Sequence, residues 1–556
     1  MRCQDYHPST VRSKQWLYWL FGLGSLIWLL LRSGMNPRRL AYPCQRAALL
    51  NSIAFLGYPL SVLGSARLYQ RASHKITISN VVLPSLAFLI TIGLSRSVAT
   101  MPDSIGANLS LPAWTSPEAV SNVFAVEAVP VPDCSLAGGN LPPAPPCNNP
   151  DYALRDQGVE TLVQLMESQG TYFYQTTQHP QGILGENDVV VIKINNQWGG
   201  RGTAEGAGRL ASNTDVLKGL IWSILQHPEG FSGEIVVAEN AQPTSTNNWD
   251  VTPANAEDQD QSFRDVVTAF QSLGYPVSLY DWTTLNNQRI HGGSISDSGY
   301  PNGEYAQGDM SDAYILLEDP AGTATDELSY PKFRTPNGNY VSMRYGVWDG
   351  CKYQADRLTF INLPVLKRHG MAGATIAWKN MIGFITADGY SNNRFGGYNE
   401  MHNYFFGFTN GPGKDYGLAG RELALIRAPD LNIVDAIWVA FESNYNGNAV
   451  RQDVLLASTD PLAVDWYASE YLLLPLTGNQ GTSAARGGVF RNASRINQNA
   501  ARLVWPGGSE NYPYMDLLDD YDGNTPAEGE RDQLDIYVTR VDPLFSIYLP
   551  VSIRDR

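Results

Sequence analysis

Sulfur is scarce in this 556-residue chain, and what there is lacks metal-binding spacing. The five cysteines, Cys3, Cys44, Cys134, Cys147 and Cys351, form no Cys-x-x-Cys pair, so zinc ribbons and iron–sulfur runs have no support. No His-Glu-x-x-His or Gly-x-Ser-x-Gly occurs, which withholds the signatures of metalloproteases and α/β-hydrolases. No apolar run reaches the roughly 20 residues that cross a bilayer comfortably. No internal repeat stands out either. Basic residues are thin beyond residue 100. The first hundred residues hold eleven Lys/Arg and one acid, Asp5, for +10, while the whole chain has a net charge of -15. The remainder therefore carries -25. An acidic body argues against nucleic acid, because phosphate binding needs clustered Lys and Arg.

What is present at the start is a basic, apolar head, which suits a membrane with anionic lipid head groups. Three apolar runs lie at 16–31, 47–63 and 81–94. The first is rich in Trp and Leu between Lys14 and Arg32. The second contains Asn51, Gly57 and Pro59, which a span tolerates when it packs on neighbours. The third ends near Ser97-Val98-Ala99, a small-residue pattern like a signal-peptidase site. With three spans and the N-terminus inside, six basic residues fall inside and five outside, so charge alone does not orient the head. The cleavage-like site and the acidic sequence after it favour an extracytoplasmic body. A hairpin of two spans with a cytoplasmic body is the alternative. Cys134 and Cys147 flank a Pro/Gly-rich stretch. A small disulfide loop outside the cytosol and two unrelated thiols both fit that placement.

The chain is too long for one ordinary core, and the expected division has four parts. Residues 1–99 are the membrane region, with one to three spans. Residues 100–150 are a linker whose 141–146 stretch (LPPAPP) favours polyproline II. Residues 151–475 form the main domain. Residues 476–556 are a polar extension packed on it, ending in an apolar run at 544–551 that fits a docked strand.

Within the main domain, strand-like Val/Ile runs alternate with helical patterns. Residues 188–194 read as a buried strand, 213–226 as a helix capped by Asn213 or Thr214, 234–238 as a strand, 263–273 as a helix and 277–280 as a strand. Further strands are expected at 313–317, 358–363, 433–439 and 454–457. Further helices are expected at 375–384, 418–427 and 461–472, with Asp460 and Pro461 supplying entry chemistry to the last. The fold class is therefore α/β, a mostly parallel sheet flanked by helices, preceded by transmembrane helices.

Several motifs carry charge to the places where such sheets bind ligands. The loop at 199–208 (GGRGTAEGAG) fits an anion cradle or a flexible connection, but not a dinucleotide fingerprint. Residues 364–370 (PVLKRHG) place Lys367, Arg368 and His369 in a loop after a strand, and 375–380 (TIAWKN) follow with Lys379 and Asn380. Ligands of open α/β sheets sit beyond the carboxyl ends of the strands. A lysine there holds a carboxylate or phosphate, or acts as base or nucleophile if its pKa is depressed. A solvated basic turn is the plain alternative. Asp435 lies inside an apolar strand and needs a partner, for which Lys367 and Lys379 are candidates. The acidic turn at 519–532 fails the spacing of a calcium hand. Ser329-Tyr330-Pro331-Lys332 matches Ser-x-x-Lys by chance, because Pro331 disfavours the helical turn that would join the two side chains.

Four segments carry a family resemblance. Residues 188–195 (DVVVIKIN), 361–383 (INLPVLKRHGMAGATIAWKNMIG), 430–437 (DLNIVDAI) and 454–465 (VLLASTDPLAVD) resemble successive signature blocks of the domain of unknown function 362 family, over roughly 185–475. The basic segment 32–47 (RSGMNPRRLAYPCQRA) resembles the membrane-proximal part of some members. The resemblance implies an α/β fold and a polar cleft without an established reaction. Carried over residue by residue, it gathers Lys193, Asn195, Lys367, His369, Lys379, Asn380, Asp435, Asp460 and Asp465 around that cleft, with His402 a weaker match. Some members append a ferredoxin-like cysteine cluster. This chain lacks those cysteines, so no iron–sulfur cluster is expected.

The expected function is an enzyme acting on a small anionic substrate. Lys367, His369, Lys379 and Asp435 are the catalytic candidates, and Lys193, Asn195, Asn380, Asp460 and Asp465 the binding ones. His369 and His402 are the candidate metal ligands, with cofactors otherwise unknown. Asp435 or Asp460 is expected as counter-charge to the lysines. A non-catalytic, membrane-anchored ligand-binding protein is the alternative. The expected partners are membrane lipid and a small anion.

Overall fold

The computed structural model describes residues 121–196, 209–241, 247–250, 255–256, 260–294, 299–318, 327–369, 373–386, 426–442, 449–477 and 534–541. All of them belong to the second of two compact units, Asn108–Arg556. The three apolar runs, the Gly-rich loop at 199–208, His402, most of the helix expected at 418–427, the acidic turn and the run at 544–551 lie outside the described residues. Among those described, no helix is long and apolar enough to cross a membrane.

In chain order the strands are β1 (Ser121–Glu127), β2 (Val189–Ile194), β3 (Glu234–Glu239), β4 (Val277–Asp281), β5 (Arg289–Ser294), β6 (Ala313–Glu318), β7 (Glu327–Arg334), β8 (Tyr340–Ser342), β9 (Gly346–Trp348), β10 (Tyr353–Gln354), β11 (Leu358–Leu363), β12 (Val365–His369), β13 (Gly373–Thr375), β14 (Leu431–Ala440), β15 (Ala449–Ser458) and β16 (Leu534–Arg540). The helices that matter here are α1 (Gln157–Ser168), α2 (Thr214–Leu225), α3 (Phe263–Ser272), α4 (Ala377–Asn380) and α5 (Pro461–Tyr467). The larger sheet runs β16-β1-β15-β14-β11-β2-β3-β4, with β12 beside β14 and β13 beside β12. The smaller runs β10-β9-β8-β7-β6-β5.

The larger sheet is mixed, not mostly parallel. β14, β11, β2, β3 and β4 run parallel, but β15 is antiparallel to both β14 and β1. The cause is connection length. β15 begins at Ala449, shortly after β14 ends at Ala440, and those two residues pair. A chain that short can only turn back, because a parallel crossover needs a dozen or more residues.

The ends of the domain also differ from the sequence expectation. Part of the stretch read as linker is sheet: β1 lies between β16 and β15, with Val123, Phe124, Ala125 and Val126 wholly buried. Order therefore starts before Asp151. β16 extends the sheet by pairing parallel to β1. Cys134 and Cys147 are joined by a disulfide, with Cα atoms 5.4 Å apart.

The central strands β2, β3 and β11 are buried on both faces, which is why they read as nearly continuous apolar runs. On one face Val190, Ile192, Ile235 and Val237 pack against Leu162 of α1, Leu217 of α2 and Phe270 of α3. On the other, Val191, Val236 and Phe360 pack against Tyr314, Phe333 and Val341 of the smaller sheet, and against Trp378, Phe384 and Val464. The helices on the first face start where local chemistry says they should. Asp156 caps α1 through the Val159 N–H, Asn213 caps α2, and Ser262 with Asp265 forms a capping box on α3. Each cap is worth about 1 kcal/mol.

Two local readings change near the expected site. Residues 365–369 are not a loop but β12, which pairs with β14 and β13. Pro364 interrupts the run, and the chain then resumes a ladder on new partners. The helix expected over 375–384 shrinks to α4 and a following 3-10 turn, Met381–Phe384. Ser329 and Lys332 lie three apart on β7, so strand alternation sends their side chains to opposite faces.

Candidate functional site

β2 and β3 deliver their last residues to the carboxyl edge of the parallel strands. Lys193, next to the end of β2, is buried and donates to Glu239 Oε2 at 2.8 Å and to the Ile194 carbonyl at 2.8 Å. The other carboxylate oxygen of Glu239 accepts from the Asn240 N–H at 3.0 Å. Gly383 closes over this pair. A Cβ there would lie 1.8 Å from Glu239 Oε1 and 2.6 Å from Lys193 Nζ, so only glycine permits the approach.

Lys367 of β12 reaches the same edge from the other side. Its ammonium donates to Asn195 Oδ1 at 2.9 Å and to the Leu210 carbonyl at 2.5 Å. Asn195 begins a chain of amides. Its Nδ2 donates to Asn380 Oδ1 at 2.9 Å. Asn380 Nδ2 donates to Asn362 Oδ1 at 2.8 Å, and Asn362 Nδ2 donates to Asn432 Oδ1 at 3.0 Å and to the Ala377 carbonyl at 2.9 Å. Asn432 Nδ2 donates to the Ser458 carbonyl at 3.3 Å. This chain crosses β2, α4, β11, β14 and β15. It fixes which way each amide points, since reversing one would set donor against donor along the row.

Electrostatics show that the three lysines share one region. Burial lowers the pKa of Lys367 well below the lysine range, helped by the charges of Lys379 and Lys193. Burial, with the charge of Lys193, brings Lys379 down to about 7. Burial lowers Lys193 too, against the pull of Glu239. Glu239 is pushed up to about 7 by burial, with Lys193 opposing. Its negative charge acts on all three lysines. The cause in each case is the same: a charge taken out of water favours its neutral form, and like charges nearby add to that.

The aspartates do other work. Among the described residues Asp435 pairs with no lysine. Its Oδ2 accepts from the Asn213 N–H at 2.9 Å and from Asn255 Nδ2 at 2.5 Å, and its Oδ1 from the Ile437 N–H at 3.1 Å. Burial pushes it up to about 7. Asp460 accepts from the Ser121 hydroxyl at 2.7 Å and from the Ala463 N–H at 3.3 Å, as a cap of α5. Asp465 accepts from the N–H groups of Ala377 and Trp378, at 2.8 and 3.3 Å. It thus holds the first turn of α4, which carries Lys379 and Asn380. Burial pushes it up to about 8. Among the described residues the carboxylate that meets the lysines is Glu239, while Asp435 and Asp460 accept from backbone N–H groups and from the Asn255 amide and Ser121 hydroxyl.

The structure therefore gathers Lys193, Asn195, Lys367, Lys379 and Asn380, and sets Asp435, Asp460 and Asp465 at the supporting turns. His369 lies two residues beyond Lys367, buried, on the same face of β12. Among the described residues no three His, Cys, Asp or Glu side chains come together as metal ligands. Glu239, Asn362 and Asn432 were missed by sequence reasoning. Each lies at, or one residue in from, the end of a strand of the parallel run, and that position was the signal available for them.

These features define the class: a layered α/β domain with a buried lysine and asparagine cluster at the carboxyl edge of its parallel strands. Residues 321–470 match the family model described as Domain of unknown function (DUF362), which supports the family resemblance. The matched segment carries Lys367, His369, Lys379, Asn380, Asp435, Asp460 and Asp465, while Lys193, Asn195 and Glu239 precede it. No curated protein and no solved structure matches the chain.

Proposed function

We propose that this chain is an enzyme that holds a small anionic substrate at the carboxyl edge of its parallel strands. The observation that supports this reading is convergence: Lys193, Lys367 and Lys379, from segments nearly two hundred residues apart, act on one another through a buried, amide-lined region. Crowding like charges is unfavourable unless something negative offsets it. A bound anion adds to what Glu239 supplies. Lys379, at about 7, is then the group suited to exchange a proton or attack a carbonyl near neutral pH. A capture role without turnover is the second reading. It is favoured by the hydrogen bonds that already hold Lys193 and Lys367 in place.

Acetate, whose own charge is constant from pH 6 to 9, is the simplest probe. The protein should bind it, and Lys379→Met should weaken binding by tenfold or more, with the thermal midpoint unchanged or higher. Affinity should also fall as pH rises through about 7, where Lys379 loses its proton. Acetate binding that ignores both the substitution and the pH would end this reading. A panel of carboxylate and phosphate metabolites then separates turnover from capture.

We propose further that residues 1–99 tether the domain to a membrane, with the domain outside the cytoplasm. The basic, apolar composition of that segment motivates this. Protease added to intact cells with permeable outer layers should reach the 100–120 stretch. Protection there until lysis would place the domain in the cytoplasm.

A further inference from the structure

Thr375 bears on what the lysine cluster receives. It ends β13 and stands directly opposite Lys367 of β12 in antiparallel register. Side chains opposed in this way project from the same face. The residue is 2% exposed, and its hydroxyl has no hydrogen-bond partner among the described residues. A buried hydroxyl left without a partner costs stability. Valine has the same branched shape and suits a strand at least as well. The strand therefore gives no reason for the oxygen to be there.

The surroundings supply one. On that face of the hairpin lie the Lys367 side chain and, two residues along, His369. His369 is opposite Gly373, which contributes no side chain. The charge of Lys379 reaches Lys367. A hydroxyl and crowded ammonium groups are donors, and what matches such a set is a group with several lone pairs and negative charge.

We propose that Thr375 is a ligand-binding residue whose hydroxyl, together with Lys367, receives one oxyanion of the substrate, a carboxylate or a phosphoryl group. This rests on the anion-binding reading above and adds the residue that orients the anion.

The test uses the full chain titrated calorimetrically with sodium acetate and, separately, with inorganic phosphate. Whichever anion binds better identifies the group. Thr375→Val should weaken that anion by roughly ten- to hundredfold, the loss of one hydrogen bond to a charged acceptor. Thr375→Ser should stay within a few-fold of the parent. If Thr375→Val does not fold, Thr375→Ala is judged by the same criterion. Anion binding that is lost in Lys379→Met but intact without the Thr375 hydroxyl overturns this proposal and leaves the broader reading standing. No binding of either anion by the parent protein overturns both.

Discussion

The two sheets each bury a glutamate and a lysine, and they do so in opposite ways. Beside the smaller sheet Glu304, between β5 and β6, is wholly buried and accepts from three hydroxyls: Tyr330 at 2.7 Å, Ser342 at 3.0 Å, and Tyr353. Lys332 donates to the carbonyls of Gly303 and Asp309 and lies over the Tyr305 ring, 4.5 Å from its centre. Neutral donors surround the anion, and two carbonyls, the Asp309 carboxylate at 3.7 Å and an aromatic face surround the cation. In the larger sheet Glu239 meets Lys193 directly, and two more lysines sit within range. The first arrangement is balanced within itself and reads as structure. The second crowds one sign of charge, an arrangement that a fold alone does not require. Buried charge is therefore a weak marker of function, and the sign of its neighbours is a better one.

The largest effect that would sharpen this contrast is expected in the smaller sheet. Glu304→Leu strands three hydroxyls and removes one of the carboxylates that act on the buried Lys332, while Asp309 stays 3.7 Å from it. At roughly 1–3 kcal/mol for each unsatisfied group, it should destabilise the protein by about 3–5 kcal/mol in denaturant unfolding, while folded protein keeps its acetate affinity. A loss of acetate binding in folded Glu304→Leu would break the comparison, because the two charge sites would then be one system.

A smaller effect is expected from pH. Asp465 in the unfolded chain ionises near its ordinary value but in the fold only near 8, and Glu239 and Asp435 only near 7. Between those limits the folded protein holds protons that the unfolded chain has released. Their contribution is complete at low pH and is lost as pH rises through the folded values. Lys379 runs the other way: its cost is full below about 7 and is relieved as pH climbs toward the ordinary lysine range. The thermal midpoint should therefore fall between pH 5 and pH 7, by roughly 2–4 °C for each kcal/mol lost. Asp465→Asn, which keeps an acceptor for the Ala377 N–H, should make that fall shallower. An equal fall in the variant would remove Asp465 from this account.

Much of the frame was legible in the sequence, for a physical reason. β2 and β3 are short Val/Ile-rich runs and β11 a short apolar one, all buried on both faces, and Asn213 caps α2 as its side chain dictates. The lysines and Asn380 could be assigned to one edge because parallel strands end on one side. What escaped was set by tertiary partners. β12 is a strand only because β14 and β13 lie beside it, and the LKRH letters alone read as a basic turn. α4 owes its start to Asp465, 88 residues away from the Ala377 N–H it accepts. The smaller sheet was mostly invisible because β8, β9 and β10 are two or three residues long, below the length at which alternation can be seen. Glu239 gave no pattern beyond standing at the end of a strand.

The position of β1 has a consequence for how the chain is made. Phe124 pairs with Ala457, and Val123 pairs with Ile536. The first of the described strands to leave the ribosome therefore waits, with both edges open, for more than three hundred residues of its own sequence. Contacts this distant slow folding, because loop closure precedes any reward from pairing. During that wait Val123–Val126 is an exposed apolar strand of the kind that associates with other chains. Synthesis of this protein consequently depends on keeping one short segment covered until the last of its partners has been translated.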